Sequence, residues 1–126
     1  MRRNEIIAVF LVIVGTVGTV TAIFAYNSFD ERDSITLIAE APEKGNWSPR
    51  TITVEKGSDV TLLIRNADVV SHGFYVPSLG IIIKKLKAGE VRELNFTVHD
   101  EGCYPFYCVL WCSDYHMQMR GKIVAR

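Results

Sequence analysis

Val91-Arg-Glu-Leu-Asn-Phe-Thr-Val98 alternates along its length, with Leu94, Phe96 and Val98 on one side of an extended chain. A period of two marks a strand with one packed face and one wet face. Thr51-Ile-Thr-Val-Glu55 repeats the pattern with Ile52 and Val54. Working outward, runs rich in Val, Ile, Thr, Phe and Tyr predict strands at Ile35 to Ala41, Asp59 to Arg65, Gly73 to Val76, Ile81 to Leu86, Tyr104 to Cys108 and Gly121 to Ala125. Turn signals fall between them: Pro42-Glu-Lys-Gly45, Glu55-Lys-Gly57, Asn66-Ala-Asp68, Ala88-Gly89 and Asp100-Glu-Gly102. No segment beyond Tyr26 carries a helical stripe. The expectation is an all-β domain, a two-sheet antiparallel sandwich.

The N-terminal end is different. Ile6 to Tyr26 is an almost unbroken apolar run whose only polar members are threonines, and about 20 such residues cross a bilayer as a helix. A cleaved secretory signal has a shorter apolar core, about 7 to 15 residues, and a small-x-small cleavage site. Ala22-Ile-Phe-Ala25 is a poor one. The expected organisation is a transmembrane anchor at 1–26, a polar linker at 27–33 and the β domain at 34–126. Arg2 and Arg3 before the helix, against Asp30-Glu-Arg-Asp33 after it, place the N-terminus in the cytoplasm and the domain on the outer, periplasmic or extracellular, face of the cell membrane. Gly15, Gly18, Thr19 and Ala22 suit close packing on another helix.

The chain balances 14 Lys and Arg against 14 Asp and Glu. That balance argues against a nucleic-acid binder, which carries a basic excess or stripe. Lys84, Lys85 and Lys87 form the one dense basic run, which reads as a solvated loop.

Chemistry concentrates in Cys108-Val-Leu-Trp-Cys112-Ser-Asp-Tyr-His116-Met-Gln-Met119, with His72 upstream. Thiolate and thioether sulfur favour soft metals such as Cu(I), and imidazole suits copper and zinc alike. Spacings of four, four and three do not converge on a straight strand, so these residues need a loop that leaves one strand near Cys108 and re-enters another near Met119. A neighbouring loop would bring His72 to the same end of the sandwich. Several readings compete. His72, Cys108, Cys112 and His116 supply a tetrahedral zinc site but leave Met119 unused. His72, Cys112, His116 and Met119 supply a blue-copper site but leave Cys108 unexplained. Two thiolates bridging two coppers, one histidine on each, with a thioether and a backbone carbonyl completing the shells, use every ligand. A disulfide from Cys108 to Cys103 or Cys112, with Met119 in the core, is the structural alternative.

The external domain resembles the dinuclear copper (CuA) cupredoxins, found in subunit II of cytochrome c oxidases and in the C-terminal domain of nitrous oxide reductase. Asn46-Trp-Ser-Pro-Arg-Thr-Ile-Thr-Val-Glu-Lys-Gly57 is similar to their first strands, Ser71-His-Gly-Phe-Tyr-Val-Pro-Ser-Leu-Gly80 to both branches, and Phe106-Tyr-Cys108 through Gly121 to the reductase version. The resemblance implies a cupredoxin-like Greek-key β-sandwich behind one transmembrane helix. It implies a centre of two copper ions with Cys108 and Cys112 as bridging thiolates and His72 and His116 as terminal imidazoles. Met119, rather than Met117, and the backbone carbonyl of Leu110 would be the weak ligands. It further implies a non-catalytic electron-transfer subunit in the membrane, which accepts electrons from cytochrome c or a small copper protein. The acceptor would be subunit I of a terminal oxidase or another respiratory enzyme. An anchored donor to nitrous oxide or nitric oxide reductase, or a copper-delivery protein, are the alternatives.

Two departures stand out. Oxidase subunits commonly carry Glu at the position of Leu110, where its side chain helps bind an interface magnesium ion, and an acidic residue where this chain reads Ile81-Ile-Ile-Lys-Lys-Leu-Lys87. The resemblance therefore does not extend to that magnesium site. Trp47 and Trp111 are candidates for receiving electrons and equally for packing, and Cys103 has no family role.

Overall fold

The structure, a computed structural model, describes residues 2–30 and 34–126. The chain divides into two compact units, Met1–Arg32 and Asp33–Arg126.

In the first unit, helix α1 spans Arg3–Asp30. Its Arg3–Ala25 portion has a mean hydropathy of 2.6 and is long and apolar enough to cross a membrane. The threonines fit because their hydroxyls donate back into the helix, Thr16 Oγ1 to the Val12 carbonyl at 3.0 Å and Thr21 Oγ1 to that of Val17 at 2.9 Å. No Gly or Pro between Tyr26 and Asp30 stops the helix, so it runs through residues 27–30, expected as linker. Residues 31–33 of that linker lie outside the described residues.

The second unit is a sandwich of nine strands among the described residues: β1 Ser34–Ala39, β2 Trp47–Ser48, β3 Thr51–Val54, β4 Asp59–Asn66, β5 His72–Val76, β6 Ile81–Leu86, β7 Val91–Thr97, β8 Gly102–Tyr107 and β9 Arg120–Ala125. One sheet has the order β2-β1-β4-β7, the other β3-β9-β8-β5-β6. Every expected strand is present, β2 is added, and Lys84 and Lys85, read as part of a solvated loop, are exposed residues of β6. The purely antiparallel expectation needs correcting, because β1 pairs with β4 and β3 with β9 in parallel. Between β1 and β4 the chain visits the opposite sheet through β3, and a crossover of that length is what lets two strands of one sheet run the same way. Single 3-10 turns at Pro77–Leu79 and His116–Gln118 are the helical pieces of this unit among the described residues.

Alternation along the strands becomes layering. In β4, Val60, Leu62 and Ile64 are buried, and Leu37 and Ala39 join them from β1. The facing layer brings Ile52, Val54, Phe74, Val76, Phe106, Ile123 and Ala125. Trp47 packs edge-on against Phe74 and Phe106, with ring centroids 5.5 and 5.7 Å apart. It is only 1 % exposed, so it is a core aromatic and does not lie at a surface where electrons could arrive.

The second sheet gathers the ligand-bearing segments at one end of the sandwich. Strand β5 is flanked by β8 and β6 and is buried almost throughout, with His72 as its first residue. Strands β8 and β9 are antiparallel neighbours, so the loop between them leaves and re-enters at one end. That is the end where the antiparallel β5 begins.

Candidate metal centre

The β8–β9 loop is closed at its neck by the Cys108 N–H donating to the Met119 carbonyl at 3.0 Å. Within it, turns of the chain fold the ligand residues inward: His116 N–H donates to the Ser113 carbonyl, and Met119 N–H to that of His116, each at 3.0 Å. Strand β5 approaches this loop closely at Gly73. A Cβ there would sit 2.6 Å from Val109 Cγ2 and 3.2 Å from both the Leu110 nitrogen and the Lys84 carbonyl oxygen. Glycine is required for this contact, and it allows the Gly73 N–H to point at Cys108 Sγ, 3.4 Å away.

The result is two groups of donors side by side. Cys108 Sγ lies 3.9 Å from His72 Nδ1 and 3.2 Å from the Leu110 carbonyl oxygen. Cys112 Sγ lies 3.5 Å from His116 Nδ1 and 3.7 Å from Met119 Sδ. Donor atoms of His72, Cys108 and Cys112 all fall within 4.8 Å of one another. All six positions singled out in the sequence are therefore brought together. Met117, the rival thioether, is 83 % exposed, whereas Met119 is buried. Cys103, Cys108 and Cys112 are all free thiols, so the disulfide alternative does not hold. Cys103 lies exposed on β8, away from the cluster.

Burial favours the neutral forms of Cys112 and His72. Burial drives the Cys112 thiol up, and the adjoining Cys108 adds to it, so that it is pushed up to about 12. Burial also lowers the His72 imidazole, against the raising pull of Asp68. Burial alone would raise the Asp68 carboxyl, but hydrogen bonds from Lys44 Nζ, from the N–H groups of Ala41 and Val69 and from His72 hold it well below the usual carboxylate range. Asp68 Oδ2 sits 3.3 Å from His72 Nε2, and this contact orients the ring so that Nδ1 faces Cys108. A histidine ligand fixed by a carboxylate through its other nitrogen is a recurrent feature of metal sites.

The donor chemistry fits a soft metal. Two thiols, two imidazoles and a thioether are what Cu(I) and Cu(II) sites use, and the thioether has little use for zinc. Burial of Cys108 and Met119 keeps water out, while one rim is open and apolar. Trp111 is 68 % exposed, its ring centroid 5.9 Å from that of His116, and Val69 and Met117 stand exposed nearby in sequence on the two ligand-bearing segments.

Two parts of this arrangement carry no plain mark in the sequence. Asp68 looks there like a turn residue, although its position four residues before His72 is a signal that could have found it. Asn46, whose side chain reaches Gln118 inside the ligand loop, leaves no local signal.

Known proteins of similar sequence and structure carry the same kind of domain. Nitrous-oxide reductase of Ralstonia nicotianae is 29 % identical over 94 residues, which is 72 % of this chain and 14 % of the reductase. The chain thus spans about a seventh of that relative's length. Among solved structures, the periplasmic domain of cytochrome oxidase subunit II (CoxB) from Bradyrhizobium japonicum superposes with a TM-score of 0.60 at 20 % identity, covering 74 % of this chain and 83 % of that one. A chain of a heme-copper terminal oxidase dimer superposes with a TM-score of 0.57 at 16 % identity, covering 99 % of this chain and all of that one. At such identities the two structures speak for the fold. Residues 10–125 match the cupredoxin-like domain family, and with its two-sheet sandwich and cysteine- and histidine-bearing loop the chain belongs to that family.

Proposed function

We propose that this chain is a membrane-anchored electron carrier whose β domain holds two copper ions as a CuA centre. The observation that carries this reading is the doubling of the donor set: each thiol has its own imidazole nitrogen and its own weak donor. A single-copper site would leave Cys108 and Leu110 without a purpose. Cys108 and Cys112 would bridge the ions, His72 and His116 would cap them, and Met119 and the Leu110 carbonyl would complete the shells. Two ions sharing one charge in a fixed cage change geometry little on reduction, which makes one-electron transfer fast. The chain's own contribution is rigidity, exclusion of water and an orienting carboxylate behind His72. Trp111, exposed beside His116, is the residue through which a donor such as cytochrome c or a small copper protein would reach the centre.

Helix α1 would hold the domain at the membrane, N-terminus inside, as Arg2 and Arg3 direct. The likeness to a whole oxidase chain across 99 % of this one supports service as subunit II beside oxidase subunit I. A second reading, an anchored donor to nitrous-oxide reductase, draws on the identity with that enzyme and on Leu110 in place of an acidic residue. Isolation of the full chain from membranes tests both: the first requires an oxidase subunit I to accompany it, the second a reductase. The site itself is tested by Cys108→Ser, which removes one bridge. It should abolish the two-copper spectrum, whereas a blue single-copper site built on Cys112 would survive.

A further inference from the structure

Between β1 and β2 lies a tight turn, Ala41 to Asn46, that holds no ligand and yet touches both ligand-bearing segments. The N–H groups of Lys44, Gly45 and Asn46 all converge on the Ala41 carbonyl, at 2.8, 3.1 and 3.2 Å. Asn46 closes the turn in a left-handed conformation, φ 67°, which Asn tolerates better than most residues. On one side the turn grips the His72 segment: the Ala41 N–H donates to Asp68 Oδ2 at 2.9 Å and Lys44 Nζ to Oδ1 at 2.6 Å. On the other it grips the β8–β9 loop twice. Asn46 Nδ2 donates to the Gln118 carbonyl at 2.9 Å, and the Ser113 hydroxyl donates to Glu43 Oε2 at 3.0 Å.

Of the two links to the β8–β9 loop the Asn46 one has the greater leverage. Asn46 is 1 % exposed, and its amide is used at both ends, Oδ1 accepting from the Trp47 N–H at 2.8 Å. Gln118 itself is exposed, but the Asn46 amide is buried, and an unpaired buried donor keeps its desolvation penalty, so this bond resists loss more than the exposed Ser113–Glu43 contact. Gln118 stands between His116 and Met119, the imidazole and the thioether that face Cys112.

We infer that Asn46 is a positioning residue for the metal cage: through Gln118 it sets where His116 and Met119 stand relative to Cys112, and through its turn it locks that half of the cage to the Asp68–His72 half. This rests on the copper reading only for its metal readout. Asn46→Gly keeps the left-handed backbone and removes the amide. Asn46→Asp keeps the acceptor for Trp47 and replaces the donor to Gln118. Val54→Ala, a core truncation on β3 at the opposite end of the sandwich, controls for general destabilisation.

Two measurements on the full chain in detergent decide it. Copper loss to a copper(I) chelator should be about 10- to 100-fold faster in both Asn46 variants, and within about twofold of wild type in Val54→Ala. In the metal-free chain, amide hydrogen exchange at Cys108, His116, Gln118 and Met119 should speed up in the Asn46 variants and not in Val54→Ala. Asn46 variants that match Val54→Ala in both measurements overturn the inference. Should the wild-type chain take up no copper, the copper reading fails and the exchange measurement alone decides: selective acceleration upholds the clamp, uniform behaviour removes it.

Discussion

Asp68 Oδ2 stands 3.3 Å from His72 Nε2, with both side chains almost wholly shut off from solvent. That contact leaves Nδ1 as the ring nitrogen facing Cys108 and ties the histidine to a carboxylate that already accepts from Ala41, Val69 and Lys44. Asp68→Asn puts an amide NH2 where one of these donors now points. The metal-free chain should lose about 1–3 kcal/mol in chemical unfolding, the cost of leaving a buried donor unpaired, and copper retention should fall about 10- to 100-fold. Unchanged copper retention would separate Asp68 from the site.

Gly73 is the point where β5 meets the ligand loop. Gly73→Ala forces its Cβ against Val109 and the Leu110 backbone at once, and neither is the free end of a flexible side chain. Overpacking of this kind costs about 1–3 kcal/mol. The copper spectrum should shift as well, because Leu110 and Cys108 move together. Loss of stability with an unaltered spectrum would show that the loop yields without disturbing the donors.

Copper binding should weaken in acid. With the Cys112 thiol pushed up to about 12, it is protonated at every physiological pH, and a metal must expel that proton. Affinity should therefore fall about tenfold per pH unit from this thiol alone as pH drops, measured by competition with a chelator. His72, lowered by burial, stays neutral and adds no competition near neutrality. For the metal-free chain the sign is opposite. A group raised on folding supports the fold below its unfolded value, so stability should decline as pH rises past about 9. Copper affinity independent of pH between about 6 and 8 would mean that Cys112 is not a ligand.

Cys103 is exposed and outside the cluster. Cys103→Ser should leave unfolding within about 0.5 kcal/mol of wild type and copper content unchanged, and the metal-free wild-type chain should yield three reactive thiols on denaturation. A thiol count of one would restore the disulfide alternative.

Much of this is legible in the sequence because it is written in short-range patterns. Leu94, Phe96 and Val98 announce a half-buried strand, and the spacing of Cys108, Cys112, His116 and Met119 announces a ligand loop whatever surrounds it. Strand direction is not encoded in alternation, so the parallel pairs β1–β4 and β3–β9 leave no mark in it. Trp47–Ser48 is too short a strand to register beside Pro49. The supports behind the ligands are nonlocal: Asn46 reaches Gln118 across 72 positions and Asp68 reaches Ala41 across 27. A lone Asn or Asp in a turn looks the same whether it serves the turn or a distant loop. Trp47 and Trp111 are indistinguishable as letters, and only burial separates the core aromatic from the exposed one.

The most direct test of the central claim is copper content together with electron-spin resonance of the copper-loaded full chain. The account predicts two copper ions per chain and a signal from one unpaired electron shared equally by two copper nuclei. One copper per chain with a signal confined to a single nucleus would contradict it.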